Sequence, residues 1–219
     1  MTAAMLKRFG VEIDEKSGVF IVTVKKIRSP GYVCIEGDWS NGAFWLAAGA
    51  LSSEGVSVAP LNVKSVQGDR EISVLLEKFG ADVKISEETV TVQKKALHGI
   101  EFDASDIPDL VPPLAVIAAA AEGTTVIQGV TRLRFKESDR IRSVCDMLTA
   151  LGATVKADNE KITITGGNIR GGTVDTQNDH RIAMAAAIAS AAAEGEITIV
   201  GAESVGKSYP DFFDVLEGL

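Results

Sequence analysis

Leu114-Ala-Val-Ile-Ala-Ala-Ala-Ala-Glu-Gly123 is one of three similar stretches in this 219-residue chain, and their spacing decides the fold. Trp45-Leu-Ala-Ala-Gly-Ala-Leu-Ser-Ser-Glu-Gly55 precedes it and Ile188-Ala-Ser-Ala-Ala-Ala-Glu-Gly195 follows it, so the closing glycines stand 68 and 72 residues apart. A second marker recurs between them. Met5-Leu-Lys-Arg-Phe-Gly-Val-Glu-Ile13, Leu75-Leu-Glu-Lys-Phe-Gly-Ala-Asp-Val83 and Met147-Leu-Thr-Ala-Leu-Gly-Ala-Thr-Val155 carry glycines at 10, 80 and 152, spaced by 70 and 72 residues. Two independent markers with one period identify an internal repeat.

Each marker has a physical reading. Alanine is the strongest helix former, and small side chains let helices pack closely. The glycine closing each Ala-rich stretch reads as a helix stop, because glycine accepts a left-handed backbone. Strands follow at Val56-Ser-Val58, Thr124-Thr-Val-Ile127 and Ile197-Thr-Ile-Val200. A second helix is expected from Glu71 to Phe79 and from Arg140 to Leu151, ended by Gly80 and Gly152. Hairpins with period-two alternation come next, at 82–85 with 89–92 and at 154–157 with 161–164. The unit is strand, helix, strand, helix, strand, strand. The expected fold class is α/β: a three-fold repeat of a βαβαββ unit closed around a shared core, helices inside and sheets outside. A dinucleotide-binding fold is not indicated, since no Gly-x-Gly-x-x-Gly follows a strand and no Walker A loop is present. The chain opens on a second helix and closes on one, Pro210-Asp-Phe-Phe-Asp-Val-Leu216, which reads as a piece of something longer.

Composition narrows the function. Apolar residues make up 46% and charged residues 24%, as in ordinary globular proteins. Twenty-two Lys and Arg against 30 Asp and Glu give a net charge of -8, and aromatics are only 5%. That balance argues against nonspecific nucleic-acid binding and against a base-stacking platform. Cys34 and Cys145 lie far apart and outside any metal-ligand spacing, so they read as idle thiols in a reducing compartment, with no metal and no disulfide. The opening residues read as an amphipathic helix rather than a signal peptide, and Ala183 to Ala193 is too short to span a bilayer. A cytoplasmic protein without membrane contact is expected.

The charged residues gather near the helix starts. Asp38, Asp109 and Asp179 each precede an Ala-rich helix, and taken singly each reads as an N-cap worth about 1 kcal/mol. Symmetry would bring the three helix N-termini to one end, where anions are favoured. Arg132, Arg134, Lys136, Arg140 and Arg142 fall within eleven residues. Elsewhere such a run is a solvated helix start; here it follows a strand end, where sites tend to form. His180 and Arg181 open the third Ala-rich helix, and Lys207 sits in the loop ahead of the last helix.

Ile107-Pro-Asp109, Lys136-Glu-Ser-Asp-Arg140, Asn178-Asp-His-Arg181, Lys207-Ser-Tyr-Pro-Asp-Phe-Phe213 and Glu36-Gly-Asp-Trp-Ser40 stand in one order along the chain. In that order and spacing the sequence resembles the 5-enolpyruvylshikimate-3-phosphate synthase family, the 3-phosphoshikimate 1-carboxyvinyltransferases. The likeness covers nearly the whole chain and matches the C-terminal half of the family. It implies an inside-out α/β barrel, with residues 1–25 a helix-and-hairpin remnant of the other domain. Residues 26–219 would form a three-repeat domain whose third repeat is incomplete. It also implies transfer of the enolpyruvyl group of phosphoenolpyruvate to the 5-hydroxyl of shikimate 3-phosphate, releasing phosphate, in aromatic amino acid biosynthesis. No cofactor is implied. Asp109 would be the base and would touch the shikimate hydroxyls. Glu137 would be the acid, Lys136 would bridge both substrates, and Arg140, Arg181 and Lys207 would hold phosphoenolpyruvate. His180, Asp38 and Arg132 would support the site; some relatives carry Asn where this chain has Arg132. The family's other phosphoenolpyruvate cations and its Ser-Ser-Gln group are missing, so the missing N-terminal half is the implied partner and the chain alone is expected to be inactive. Two other readings stand beside this one. One is an isolated, non-catalytic anion-binding lobe. The other is a relative of the UDP-N-acetylglucosamine enolpyruvyl transferase, whose cysteine loop is absent.

Overall fold

The structure, a computed structural model, describes residues 1–24 and 26–218. Lys25, at the expected edge of the N-terminal segment, and Leu219 lie outside the described residues. Three Ala-rich helices form the centre: α2 (Trp39–Leu51), α4 (Val111–Ala120) and α6 (His180–Ala189). All ten residues of α6 are buried, as are Val111 to Ala119 of α4. Small residues permit this. A Cβ on Gly49 of α2 would lie 2.6 Å from the Val92 carbonyl oxygen, so the helix rests directly on a strand backbone.

Around this core the chain builds its repeats. The first has β3 (Val56–Val58), α3 (Ile72–Phe79), β4 (Asp82–Ser86) and β5 (Thr89–Gln93) after α2. Its sheet runs β3-β5-β4, antiparallel throughout. The second is complete: β6 (Glu101–Asp103), α4, β7 (Thr124–Gln128), α5 (Arg140–Ala150), β8 (Thr154–Ala157) and β9 (Lys161–Thr165). Its sheet runs β6-β7-β9-β8, with β6 parallel to β7. The third has β10 (Gly172–Asp175), α6, β11 (Ile197–Val200) and α7 (Phe212–Glu217), with β10 parallel to β11 and no further strand among the described residues. Ahead of all three lie α1 (Thr2–Arg8) and the hairpin of β1 (Glu12–Lys16) and β2 (Val19–Thr23).

The repeat is visible in hydrogen bonding. Glu12 pairs with Thr23, Asp82 with Gln93 and Thr154 with Thr165. Each pair joins the second and the thirteenth residue after Gly10, Gly80 or Gly152. These three glycines have φ of +80, +104 and +84°; Gly80 caps its helix, and Gly10 and Gly152 stand immediately after the caps Phe9 and Leu151, close to where the sequence predicts the stops. The other set behaves differently. The cap residues of α2, α4 and α6 are Ser52, Ala121 and Ser190, so Gly55, Gly123 and Gly195 do not end the helices. They stand further on, where the chain turns into the next strand. Gly195 does not adopt positive φ at all; a Cβ there would lie 2.7 Å from the Arg170 carbonyl oxygen.

The N-terminal cassette stands outside the main core. None of α1 is buried, and every residue of β2 is exposed. No strand precedes α2 among the described residues between β2 and Trp39. That approach is pinned instead by Gln67, whose amide nitrogen donates to the Gly37 carbonyl at 2.9 Å and to Glu36 at 3.0 Å. No helix among the described residues is long and apolar enough to cross a membrane.

Candidate functional site

Arg140 is the first residue of α5, and its helix start is held by Asp139, which accepts from the Arg142 backbone N–H at 3.4 Å. The amphipathic α5 turns this first residue inward, and Arg140 is 0% exposed. A guanidinium taken out of water needs its five donors answered. Three carboxylates do so. Asp179 accepts from Nε at 2.7 Å and from Nη2 at 3.2 Å, Asp109 accepts from Nη1 at 2.7 Å, and Glu137 accepts from Nη2. The Lys136 Nζ lies 3.0 Å from the same Asp109 oxygen, and Arg181 Nη2 lies 3.5 Å from the other.

Two core helices aim these groups. Asp179 caps α6, accepting from the Arg181 N–H at 2.9 Å, and accepts from Ser138 Oγ at 3.0 Å. Asp38 likewise caps α2 through the Ser40 N–H at 2.9 Å. Asp109 does not cap α4, contrary to the sequence expectation. It lies in a 3₁₀ turn at Pro108–Leu110, the α4 start has no side-chain cap, and its first turn is Pro112-Pro113. The carboxylate is free to meet the cations from α5 and α6 because the prolines remove donors it would otherwise satisfy.

Charge sets the protonation states. Burial works to raise the Asp109 carboxyl, but the Arg181, Lys136 and Arg140 charges outweigh it and hold it below the usual carboxylate range. For Asp179, burial again opposes and the bond to Arg140 wins, leaving it low. Asp69 goes the other way. Burial pushes its carboxyl up, the hydrogen bond from Ser40 Oγ opposes, and the Asp109 charge adds to the rise. The His180 imidazole is pushed down, first by burial and then by Arg181 beside it. His180 Nδ1 and Arg181 Nη1 are both buried without a hydrogen-bond partner.

Of the residues singled out from sequence, Asp109, Lys136, Glu137, Arg140 and Arg181 form one contact network, and His180 adjoins it. Lys207 reaches its edge, its Nζ donating to the Asn178 carbonyl at 2.7 Å. Arg132 stands apart from the network, donating to the Ser105 carbonyl at 3.1 Å from an exposed position. Asp38 touches none of these cations; its carboxylate is used by the α2 cap. Sequence reasoning missed Asp179 as the hub, reading it only as a cap. Its position between Asn178 and the His180-Arg181 pair was the available signal. Asp69, preceding α3, carried no such signal. Among the described residues no group of three or more His, Cys, Asp or Glu is placed to hold a metal ion.

Comparison with known proteins gives this arrangement a context. A family model described as EPSP synthase (3-phosphoshikimate 1-carboxyvinyltransferase) matches residues 1–216. The 3-phosphoshikimate 1-carboxyvinyltransferase of Clostridium acetobutylicum is 45% identical over 222 residues, covering 100% of this chain and 51% of its own length. That of Thermococcus kodakarensis is 43% identical over 219 residues, covering 100% and 54%. Among solved structures, EPSP synthase from Acinetobacter baumannii superposes with a TM-score of 0.82 at 26% identity, over 98% of this chain and 52% of that one. The enolpyruvyl transferase NikO from Streptomyces tendae gives 0.73 at 25% identity, over 99% and 51%. The chain spans about half the length of the curated relatives it matches.

Proposed function

This chain belongs to the EPSP synthase family, and we propose that it carries one half of a site that transfers the enolpyruvyl group of phosphoenolpyruvate to the 5-hydroxyl of shikimate 3-phosphate. The observation that carries the proposal is the Arg140 network together with the unpartnered Nη1 of Arg181. A buried guanidinium N–H without an acceptor calls for an anion, and a planar fork suits carboxylate or phosphate. Arg140, Arg181 and Lys207 hold phosphoenolpyruvate in this reading, and Lys136 spans both substrates. His180, whose imidazole burial pushes down, supports the site rather than serving as its acid or base.

The proton chemistry then falls to two carboxylates. The 5-hydroxyl oxygen attacks C2 of phosphoenolpyruvate while Asp109 takes the hydroxyl proton and Glu137 gives a proton to the methylene carbon. In the second stage that carbon returns a proton, the C2–O bond to phosphate breaks, and phosphate leaves. Asp109 at rest is a weak base, since Arg181, Lys136 and Arg140 depress it. Incoming substrate phosphates compete for those cations and relieve the depression, so the base strengthens when substrate is present.

Residues 1–25 belong, in this proposal, with the lobe formed by the missing N-terminal half, and that half supplies the remaining substrate contacts. Phe135, beside Lys136 and 84% exposed, is a rim position that such a lobe would cover. The chain alone is inactive. The test is to combine it with the N-terminal half of a relative and follow phosphate release with each acceptor. Release with shikimate 3-phosphate, lost in Glu137→Gln, supports the proposal. No release from a folded, associated pair, or release with UDP-N-acetylglucosamine instead, overturns it.

A further inference from the structure

Among the described residues, only three that are not glycine have a left-handed backbone. Two of them stand side by side ahead of α6, Gln177 at φ +50° and Asn178 at +60°. That backbone crowds Cβ; asparagine bears it better than most residues, and glutamine does not. Bonds hold the strain in place. Gln177 donates its N–H to the Asp175 carboxylate at 2.8 Å and its side-chain amide to Asp146 at 2.9 Å. The Asp179 N–H donates to the Thr176 carbonyl at 2.9 Å. Strain that the surroundings maintain points to a group whose direction matters. Here that group is the Asn178 carbonyl, which accepts from Lys207 Nζ at 2.7 Å.

The repeats show what the bond does. In each, a side chain from the segment after β3, β7 or β11 donates to a backbone carbonyl in the loop that enters the core helix. Gln67 donates to Gly37 at 2.9 Å, Arg132 to Ser105 at 3.1 Å and Lys207 to Asn178. Gly37 and Asn178 each directly precede the aspartate that caps the helix, Asp38 or Asp179. The first tie is buried and neutral, with Gln67 8% exposed. The third is made by an exposed ammonium that pairs with no carboxylate among the described residues. Lys136 and Arg140, by contrast, rest on Asp109. Thr176 secures the start of the Lys207 segment, its N–H donating to the Val200 carbonyl at 3.0 Å and its hydroxyl to the Gly201 carbonyl at 3.1 Å. Residues 201–207 are thus tied to the turn at both ends.

We propose that Asn178 is a positioning residue for Lys207: its left-handed turn presents the carbonyl that parks the ammonium beside the start of α6, from where it passes to an arriving phosphoenolpyruvate. This rests on the reading of Lys207 as a phosphoenolpyruvate cation. A loose lysine loses rotamer freedom when it grips an anion, whereas a parked one has lost it beforehand. A neutral carbonyl also releases the ammonium more readily than a carboxylate would, since no opposite charge is left behind.

Asn178→Val and Asn178→Gly, each made in the wild-type chain and in K207M, test this. Valine resists the left-handed backbone and glycine adopts it freely. The first readout needs no ligand: hydrogen exchange at the Ser208 and Tyr209 amides, which donate to the Val205 carbonyl at 3.0 and 2.7 Å. N178V and K207M each speed exchange there, the double variant is no faster than K207M, and N178G matches wild type. The second readout is phosphoenolpyruvate affinity, by titration followed with NMR. N178V weakens it about 3- to 10-fold in the wild-type chain and not in K207M, and N178G leaves it unchanged. Where N178V fails to fold by circular dichroism, N178A, a milder strain, takes its place. Exchange that N178V and K207M leave unaltered, or an N178V loss of affinity that persists in K207M, overturns the inference. A wild-type chain that takes up no phosphoenolpyruvate while the exchange pattern holds overturns the phosphoenolpyruvate reading and supports the parking of Lys207.

Discussion

Replacing Asp179 by Asn keeps the α6 cap and removes the charge that Arg140 depends on. Asn caps helices as well as Asp does, so the bond from the Arg181 N–H survives. The amide nitrogen cannot accept from Arg140 Nε or from Ser138, and both side chains of the pair are 0% exposed. Removing one partner of a buried ion pair costs about 3–5 kcal/mol. Asp109 and Glu137 remain on the guanidinium, which places the expected loss near the lower bound, about 3 kcal/mol. For a chain of this size that lowers Tm by about 6–12 °C. The pH dependence follows from the depressed Asp179 carboxyl. A group whose folded pKa lies below its unfolded value of about 3.9 contributes stability above that value and loses it as pH falls through the folded one. The gap between wild type and D179N is therefore full at pH 7 and narrows below about pH 4. Urea unfolding followed by circular dichroism at pH 7 and pH 3 measures it. A loss under about 1 kcal/mol at pH 7, or a gap that does not narrow in acid, would refute the hub role of Asp179.

Asp69→Asn is expected to have the opposite sign. Its carboxyl is raised by burial, so ionisation costs stability as pH rises through the folded pKa; D69N should be more stable than wild type at pH 7 and not below pH 3, as urea titrations at the two pH values will show. The two thiols should differ in rate. Cys34 is exposed, while burial pushes Cys145 up to about 11 with Asp146 and Asp139 adding to it, so maleimide at pH 7.5 should label Cys34 first and Cys145 far more slowly, read by mass spectrometry; equal rates would contradict the burial of Cys145.

The fold was legible because its signals are local. Gly80 and Gly152 stop their helices through their own backbone freedom, and the alternation after them survives in any context. Gly55, Gly123 and Gly195 misled because the helices before them end by packing: Ser52, Ala121 and Ser190 are caps that no propensity marks strongly. The site was legible in part. Lys136-Glu-Ser-Asp-Arg140 and the His180-Arg181 pair stand out as motifs, and the structure brings them to one place. Read locally, Asp109 looked like a cap, and only the family resemblance pointed it to the site; the cap reading failed because its partners Arg140 and Arg181 come from α5 and α6, which are distant in sequence. Asp69 was invisible for the same reason: its raised carboxyl is set by burial and by Asp109, forty residues further on.

The Arg140 cluster also bears on how tightly any ligand can be held. Arg140 and Lys136 arrive already answered by the protein's own acids, while Arg181 Nη1 and the Lys207 ammonium are not, so the cluster attracts an anion less strongly than its count of cations implies. A visiting dianion must displace Asp109 and Glu137 from their partners before it gains full contact, which moderates its grip. The same acids stand ready to reclaim those partners as it departs.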